Sequence, residues 1–102
     1  MTVTRPAVLQ TLADLIRINS VNPNYLAGVP ESGVIDYVEA FFQSRSIKTT
    51  RQSVQPHRDN LIASIPGRDH HRKMIFEAHV DTVSVDGMTI QPFDPVIKNG
   101  RM

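Results

Sequence analysis

The 102-residue sequence contains no cysteine. Disulfides, Cys-bound metals and thiol redox chemistry are therefore excluded, and a reducing compartment is compatible with the chain. Charge of one sign is not in excess either: 11 basic and 10 acidic side chains leave a net charge of +1. A protein that neutralises phosphates needs a basic surplus, so nucleic acid is not an expected partner. Long apolar runs are also missing. Between Met1 and Leu15, the residues Arg5, Gln10, Thr11 and Asp14 break up the apolar pieces, and no signal-peptide core forms. Nothing approaches the roughly 20 apolar residues of a membrane-spanning helix. There are no repeats, no low-complexity tract, no phosphate-binding glycine loop and no nucleophile elbow. These absences lead to the expectation of a soluble, cytoplasmic chain without a membrane partner.

The residues present include 40% hydrophobic and 21% charged side chains, a balance that supports folding rather than disorder. The length suits one small domain, residues 1–102. Val8, Leu12, Leu15 and Ile16 recur at helical spacing, which predicts a helix over Pro6 to Ile18 with Thr4 as N-cap. The turn-forming run Ser20-Val21-Asn22-Pro23-Asn24 stops it. A second stripe of Val34, Ile35, Val38, Phe41 and Phe42 predicts a helix from Glu31 or Ser32 to near Ser46. Both stripes read as core-facing surfaces.

Beyond Ser46 the period changes. Ile47 to Val54 reads as a polar edge strand, Gln55 to Asp59 as a turn around Pro56, and Asn60 to Ile65 as a second strand. After a charged loop from Arg68 to Arg72, the segment Lys73 to Val80 reads as a third strand. Its consecutive Met74, Ile75 and Phe76 suggest cover on both faces. Asp86-Gly87 and Asn99-Gly100 are turn formers. The order predicts an α/β fold in which two helices pack on a mixed sheet. A central strand of this kind needs more neighbours than two helices and two strands provide, so further chain is expected to complete it.

The chemistry gathers at His79-Val80-Asp81-Thr82-Val83, at the end of the third predicted strand. Residues two apart on a strand share a side, so His79 and Asp81 can face one site. An imidazole is a good zinc ligand near neutral pH, and a ligating histidine commonly donates its other ring N–H to a carboxylate. Taken alone, His-x-Asp is a weak pattern. His70 and His71 in the charged loop, and His57 in the turn, read as solvated, while the orientation of Glu77 is left open.

Context sharpens the motif. Arg58-Asp59-Asn60-Leu61-Ile62-Ala63-Ser64-Ile65-Pro66-Gly67 comes first, then the apolar segment and His79-Val80-Asp81-Thr82-Val83. Pro92-Phe93-Asp94-Pro95 and Asn99-Gly100-Arg101 follow. This order resembles the acetylornithine deacetylase, succinyl-diaminopimelate desuccinylase and carboxypeptidase family of co-catalytic zinc amidohydrolases. The resemblance implies an amino-terminal fragment of a catalytic domain, with His79 as a metal ligand and Asp81 as the active-site carboxylate that orients it. It further implies two zinc ions per complete site, with cobalt as a substitute. The substrate would be an N-acyl amino acid or a peptide, and the parent a homodimer built through a lid domain that this sequence does not contain. The family's bridging aspartate, general-base glutamate and later ligands have no counterparts before Met102. Ser84 stands where many members have proline, and Met88 to Ile90 where many have tryptophan, which bears on the substrate subclass. The competing expectation is a non-catalytic truncated module that binds a partner chain.

Overall fold

The computed structural model describes residues 2–102; Met1, the first residue of the domain read from the sequence, lies outside them. Its elements run α1 (Arg5–Arg17), α2 (Ser32–Gln43), β1 (Lys48–Gln55) and β2 (Arg58–Ser64).

Helix α1 begins where its sequence provides a cap. The Thr4 side chain accepts a hydrogen bond from the Ala7 backbone N–H at 3.3 Å, and Pro6 sits in the first turn, where no helical donor is lost. At the other end Ile18 turns extended. The side chain of Glu31 makes no capping bond to α2, because its carboxylate is committed to Arg58 instead. Helix α2 stops three residues short of the predicted Ser46. Ser46 adopts a left-handed φ of 57°, with Ser46 N–H bonded to Gln43 O and Ile47 N–H to Phe42 O. That is a Schellman stop built on serine where glycine is usual, so a sequence search for glycine misses it.

Strands β1 and β2 form an antiparallel hairpin, paired from Lys48 with Ser64 to Gln55 with Arg58. Pro56 and His57 make the turn, with His57 at φ 62°. The pairing register slips between Ser53 and Gln55, as a bulge near a tight turn would produce. Along β2 exposure alternates: Leu61 and Ala63 are half-buried while Asn60, Ile62 and Ser64 face solvent. Helix α2 packs on the hairpin, and its Val34 and Ile35 are buried.

Charge clamps that packing. Arg51 on β1 donates from Nε to Glu39 at 2.8 Å and from Nη2 to Asp36 at 2.7 Å, with Asp59 of β2 at 3.8 Å. Asp36 and Glu39 lie three apart on α2 and so share a face. Arg58 grips Glu31 through both carboxylate oxygens, tying the start of β2 to the start of α2. Helix α1 meets α2 through Tyr37 Oη, which donates to Asp14 at 3.1 Å. It also meets it where Ile18 lies 3.1 Å from the space a Gly33 side chain would need.

Two helices and a sheet are thus present as the sequence predicts. The sheet, however, is the antiparallel hairpin alone among the described residues, not a mixed sheet. Lys73 to Val80 forms no strand. Met74, Ile75 and Phe76 are 80%, 87% and 90% exposed. The cover on both faces that their apolar run predicts is not found, because a strand exists only through its ladder, and none is offered here. The consequence is visible in the dimensions. The accessible surface is 8682 Å², against about 5,800 Å² for a compact protein of this mass. The radius of gyration is 15.9 Å, against about 13 Å. No helix of the described residues is long and apolar enough to cross a membrane.

The Arg51 clamp has a pH signature. Hydrogen bonding from Arg51, chiefly, holds the Glu39 carboxyl below its ordinary range, with burial opposing and Arg51's charge assisting. A depressed carboxylate stabilises the fold above its unfolded value, about 4.3, and that stabilisation is lost as pH falls through the folded value. Arg51→Met is expected to return Glu39 towards its ordinary titration range and to lower the urea midpoint at neutral pH. Carboxyl NMR titration and urea unfolding, each run at neutral and acidic pH, measure the two effects.

Candidate functional site

Among the described residues, one long-range backbone bridge lies outside the hairpin. Val21 and Thr82 form a parallel bridge. Asn22 N–H donates to Thr82 O and Thr82 N–H donates to Ser20 O, both at 2.9 Å. Ser20 and Val21 are buried beneath this crossing. The turn after α1 therefore carries the backbone of the His79 segment, and not a sheet, as the sequence pattern suggested.

Asn22 begins a tightly wound loop. Its Oδ1 accepts from Asn24 N–H at 2.8 Å, its carbonyl accepts from Tyr25 N–H, and Val29 N–H returns to Val21 O. Gly28 is required for this path. A Cβ there would stand 2.0 Å from the Asn22 carbonyl oxygen and 2.7 Å from Pro23 Cα, both backbone atoms that cannot give way.

On the other side of the crossing, His79 and Asp81 meet as their spacing predicts, although not on a strand. His79 Nδ1 lies 2.8 Å from the Asp81 backbone oxygen and 3.2 Å from Asp81 Oδ1. A carbonyl oxygen can only accept, so Nδ1 carries the proton in this arrangement. In the neutral ring Nε2 is then a free lone pair, and the His79 side chain is 84% exposed. The second carboxylate oxygen, Oδ2, accepts from Asn22 Nδ2 at 2.8 Å. That bond is the chief reason the Asp81 carboxyl is held below its usual range; partial burial opposes it, and the His79 contact adds to it. Nearby, Arg58 is raised above its ordinary value mainly by its bonds to Glu31, with the charge of Asp81 contributing least.

Asn22, Asn24, Tyr25, His79, Asp81, Thr82 and Val83 line an open cleft of about 230 Å³. Sequence reasoning found His79 and Asp81 there and missed Asn22. Asn22 reads as a turn former, and its partner lies 59 residues away. His70 and His71 lie in an exposed loop turned by Asp69, which accepts from His71 N–H. Glu77 is exposed, and His57 occupies the hairpin turn. Among the described residues, no three His, Asp or Glu side chains converge to hold a metal. His79 fits a ligand's role by itself, with one nitrogen committed and the other free, but the described residues do not form a complete metal site.

No family model and no solved structure matches the chain. Over 50 residues, 49% of its length, it is 40% identical to the protein named "Putative aminopeptidase YhfE" of Bacillus subtilis (strain 168). The stretch makes up 13% of that protein's length.

Because the Gly28 path leaves no room for a methyl group, Gly28→Ala is expected to destabilise the chain by roughly 1–3 kcal/mol, the usual cost of forced overpacking. It should also loosen the crossing. Urea unfolding gives the first quantity, and faster amide exchange at Asn22 and Thr82 reports the second.

Proposed function

We propose that this chain is part of the catalytic domain of a metal-dependent hydrolase that cleaves amide bonds. The substrates would be N-acyl amino acids, as in acetylornithine deacetylase or succinyl-diaminopimelate desuccinylase. His79 supplies a direct ligand to zinc, or to cobalt, through Nε2, and Asp81 orients it through Nδ1. The observation that carries this reading is the His79–Asp81 pairing, which commits one ring nitrogen and leaves the other uncommitted on a residue that lines the cleft. The similarity to a peptidase over half of the chain supports a hydrolytic class, and the N-acyl substrate rests on the family resemblance of the motif order.

A bound metal of this kind polarises the scissile carbonyl and acidifies water. The residues described here have narrower tasks. Asp81 fixes the ring plane of His79 and strengthens its free nitrogen as a donor. The hydrogen bond from Asn22 favours the ionised form of the Asp81 carboxylate. The cleft beside them, walled by Tyr25 and Val83 on its less polar side, accepts a substrate group.

A second reading has its own observation. The apolar run Met74-Ile75-Phe76 is exposed and forms no strand with the rest of the described chain, and such a segment can pair with a strand of a partner. A binding module would use this run and have no need of His79.

One set of variants separates the readings. In a protein that carries this segment with the remaining ligands, His79→Ala is expected to abolish hydrolysis of N-acetyl and N-succinyl amino acids. Asp81→Asn should lower activity or zinc affinity by about 10–100-fold. Unchanged kinetics in both variants would sink the hydrolase assignment. The 102-residue chain alone is expected to hold zinc weakly and turn nothing over, since catalytic zinc sites use three protein ligands. Loss of partner association in Ile75→Lys, alongside normal association in His79→Ala, would support the binding module.

A further inference from the structure

We infer that Asn22 is a positioning residue for His79, acting through Asp81. The inference rests on the reading of His79 as a ligand and extends it to a residue that reaches His79 through Asp81.

The argument begins with the amide itself. Asn22 Oδ1 accepts from the Asn24 backbone N–H, which can only donate. That contact fixes which end of the amide is oxygen, an assignment ordinary geometry leaves open. The NH2 group must therefore point the other way, and it meets Asp81 Oδ2 at 2.8 Å. The backbone repeats the constraint, because Asn22 N–H is held on Thr82 O. Main chain and side chain of one residue thus pin residues 81 and 82 together.

With Oδ2 pinned, the rotation of the Asp81 carboxylate is set, and Oδ1 is left facing His79 Nδ1 at 3.2 Å. The Asp81 backbone oxygen, at 2.8 Å from the same nitrogen, is placed by the crossing that Asn22 helps to form. Both acceptors on Nδ1 therefore trace back to Asn22. A ring held by two acceptors keeps its proton on Nδ1 and offers Nε2, whereas a free imidazole mixes both tautomers. His79 is mostly exposed, so few packing contacts could hold the ring if this chain of bonds were cut.

The chemistry also explains why asparagine is needed. Aspartate at position 22 could still accept from Asn24 N–H and keep the loop turn. It would, however, set a second carboxylate oxygen against Asp81 Oδ2 in place of a donor. The loop would survive and the orientation of Asp81 would not. This makes Asn22→Asp a sharper probe than Asn22→Ala, which removes both bonds.

The test reads the tautomer directly, without metal, by 15N NMR of the His79 ring at a pH about two units above the ordinary histidine value of about 6.5. Wild type is expected to show the proton on Nδ1. Asn22→Asp is expected to give a mixture of tautomers or the Nε2–H form, while the amide shifts of Asn24, Tyr25 and Val29 stay native. Asn24→Ala, which keeps the backbone donor, is expected to match wild type. In a zinc-loaded protein carrying the segment, Asn22→Asp should weaken zinc by about 10-fold or more, at the lower end of what orienting partners contribute. Retention of the Nδ1–H form in Asn22→Asp overturns the inference. So does loss of that form only in company with melting of the Asn22–Val29 loop, which would mark a purely structural role. Because the tautomer is read metal-free, its failure is distinct from a failure of the zinc and activity assays on His79.

Discussion

The placement of the His79 segment and of the cleft depends on the crossing at Val21 and Thr82. Two backbone hydrogen bonds flank the buried Val21, and the Asn22–Asp81 bond continues the contact from backbone to side chain. Joining segments some sixty residues apart costs little more than joining segments thirty apart, because loop closure grows only logarithmically with length. A short bridge can therefore hold a long excursion, provided that its polar groups are paired and its centre is dry. Val21 and Ser20 meet the second condition and the paired amides meet the first.

The helices and hairpin are bound to one another by a different means. Their buried apolar contribution is small: among the described residues, Ala13, Val34 and Ile35 are the buried apolar side chains of these elements. Arg51 and Arg58 instead bridge α2 to the two strands by bidentate and branching contacts. Ion pairs at partly exposed positions add little stability each, but a planar guanidinium fixes relative orientation well. The Arg58–Glu31 pair matters doubly, since it lies within the electrostatic reach of Asp81. The clamp on α2 and the cleft are therefore adjoining parts of one structure.

The same charge and hydrogen-bond logic gives the cleft its chemical character. A histidine alone at a surface offers either nitrogen. Here one nitrogen faces two acceptors, and the other is left uncommitted on a ring that lines the cleft. Which nitrogen carries the proton is thereby selected by hydrogen bonding and not by burial, and this is compatible with the exposure of the ring.

Several features were legible in the residues themselves. Apolar spacing marked both helices, Thr4 marked the start of the first, and Pro56-His57 marked the hairpin turn, because each is a local property of a few neighbouring side chains. Asn99-Gly100, with φ of 52° and 75°, closes Lys98 on Arg101 as its turn chemistry requires. The spacing of two between His79 and Asp81 sufficed to bring them together, since contact between residues so close hardly depends on the rest of the chain. Tertiary structure decided what local properties could not. It withheld a ladder from Met74 to Ala78, because strand formation needs a partner that composition cannot supply. It also drew Asn22 from a turn after the first helix onto Asp81, because a hydrogen bond across 59 residues is written only in the path the backbone takes.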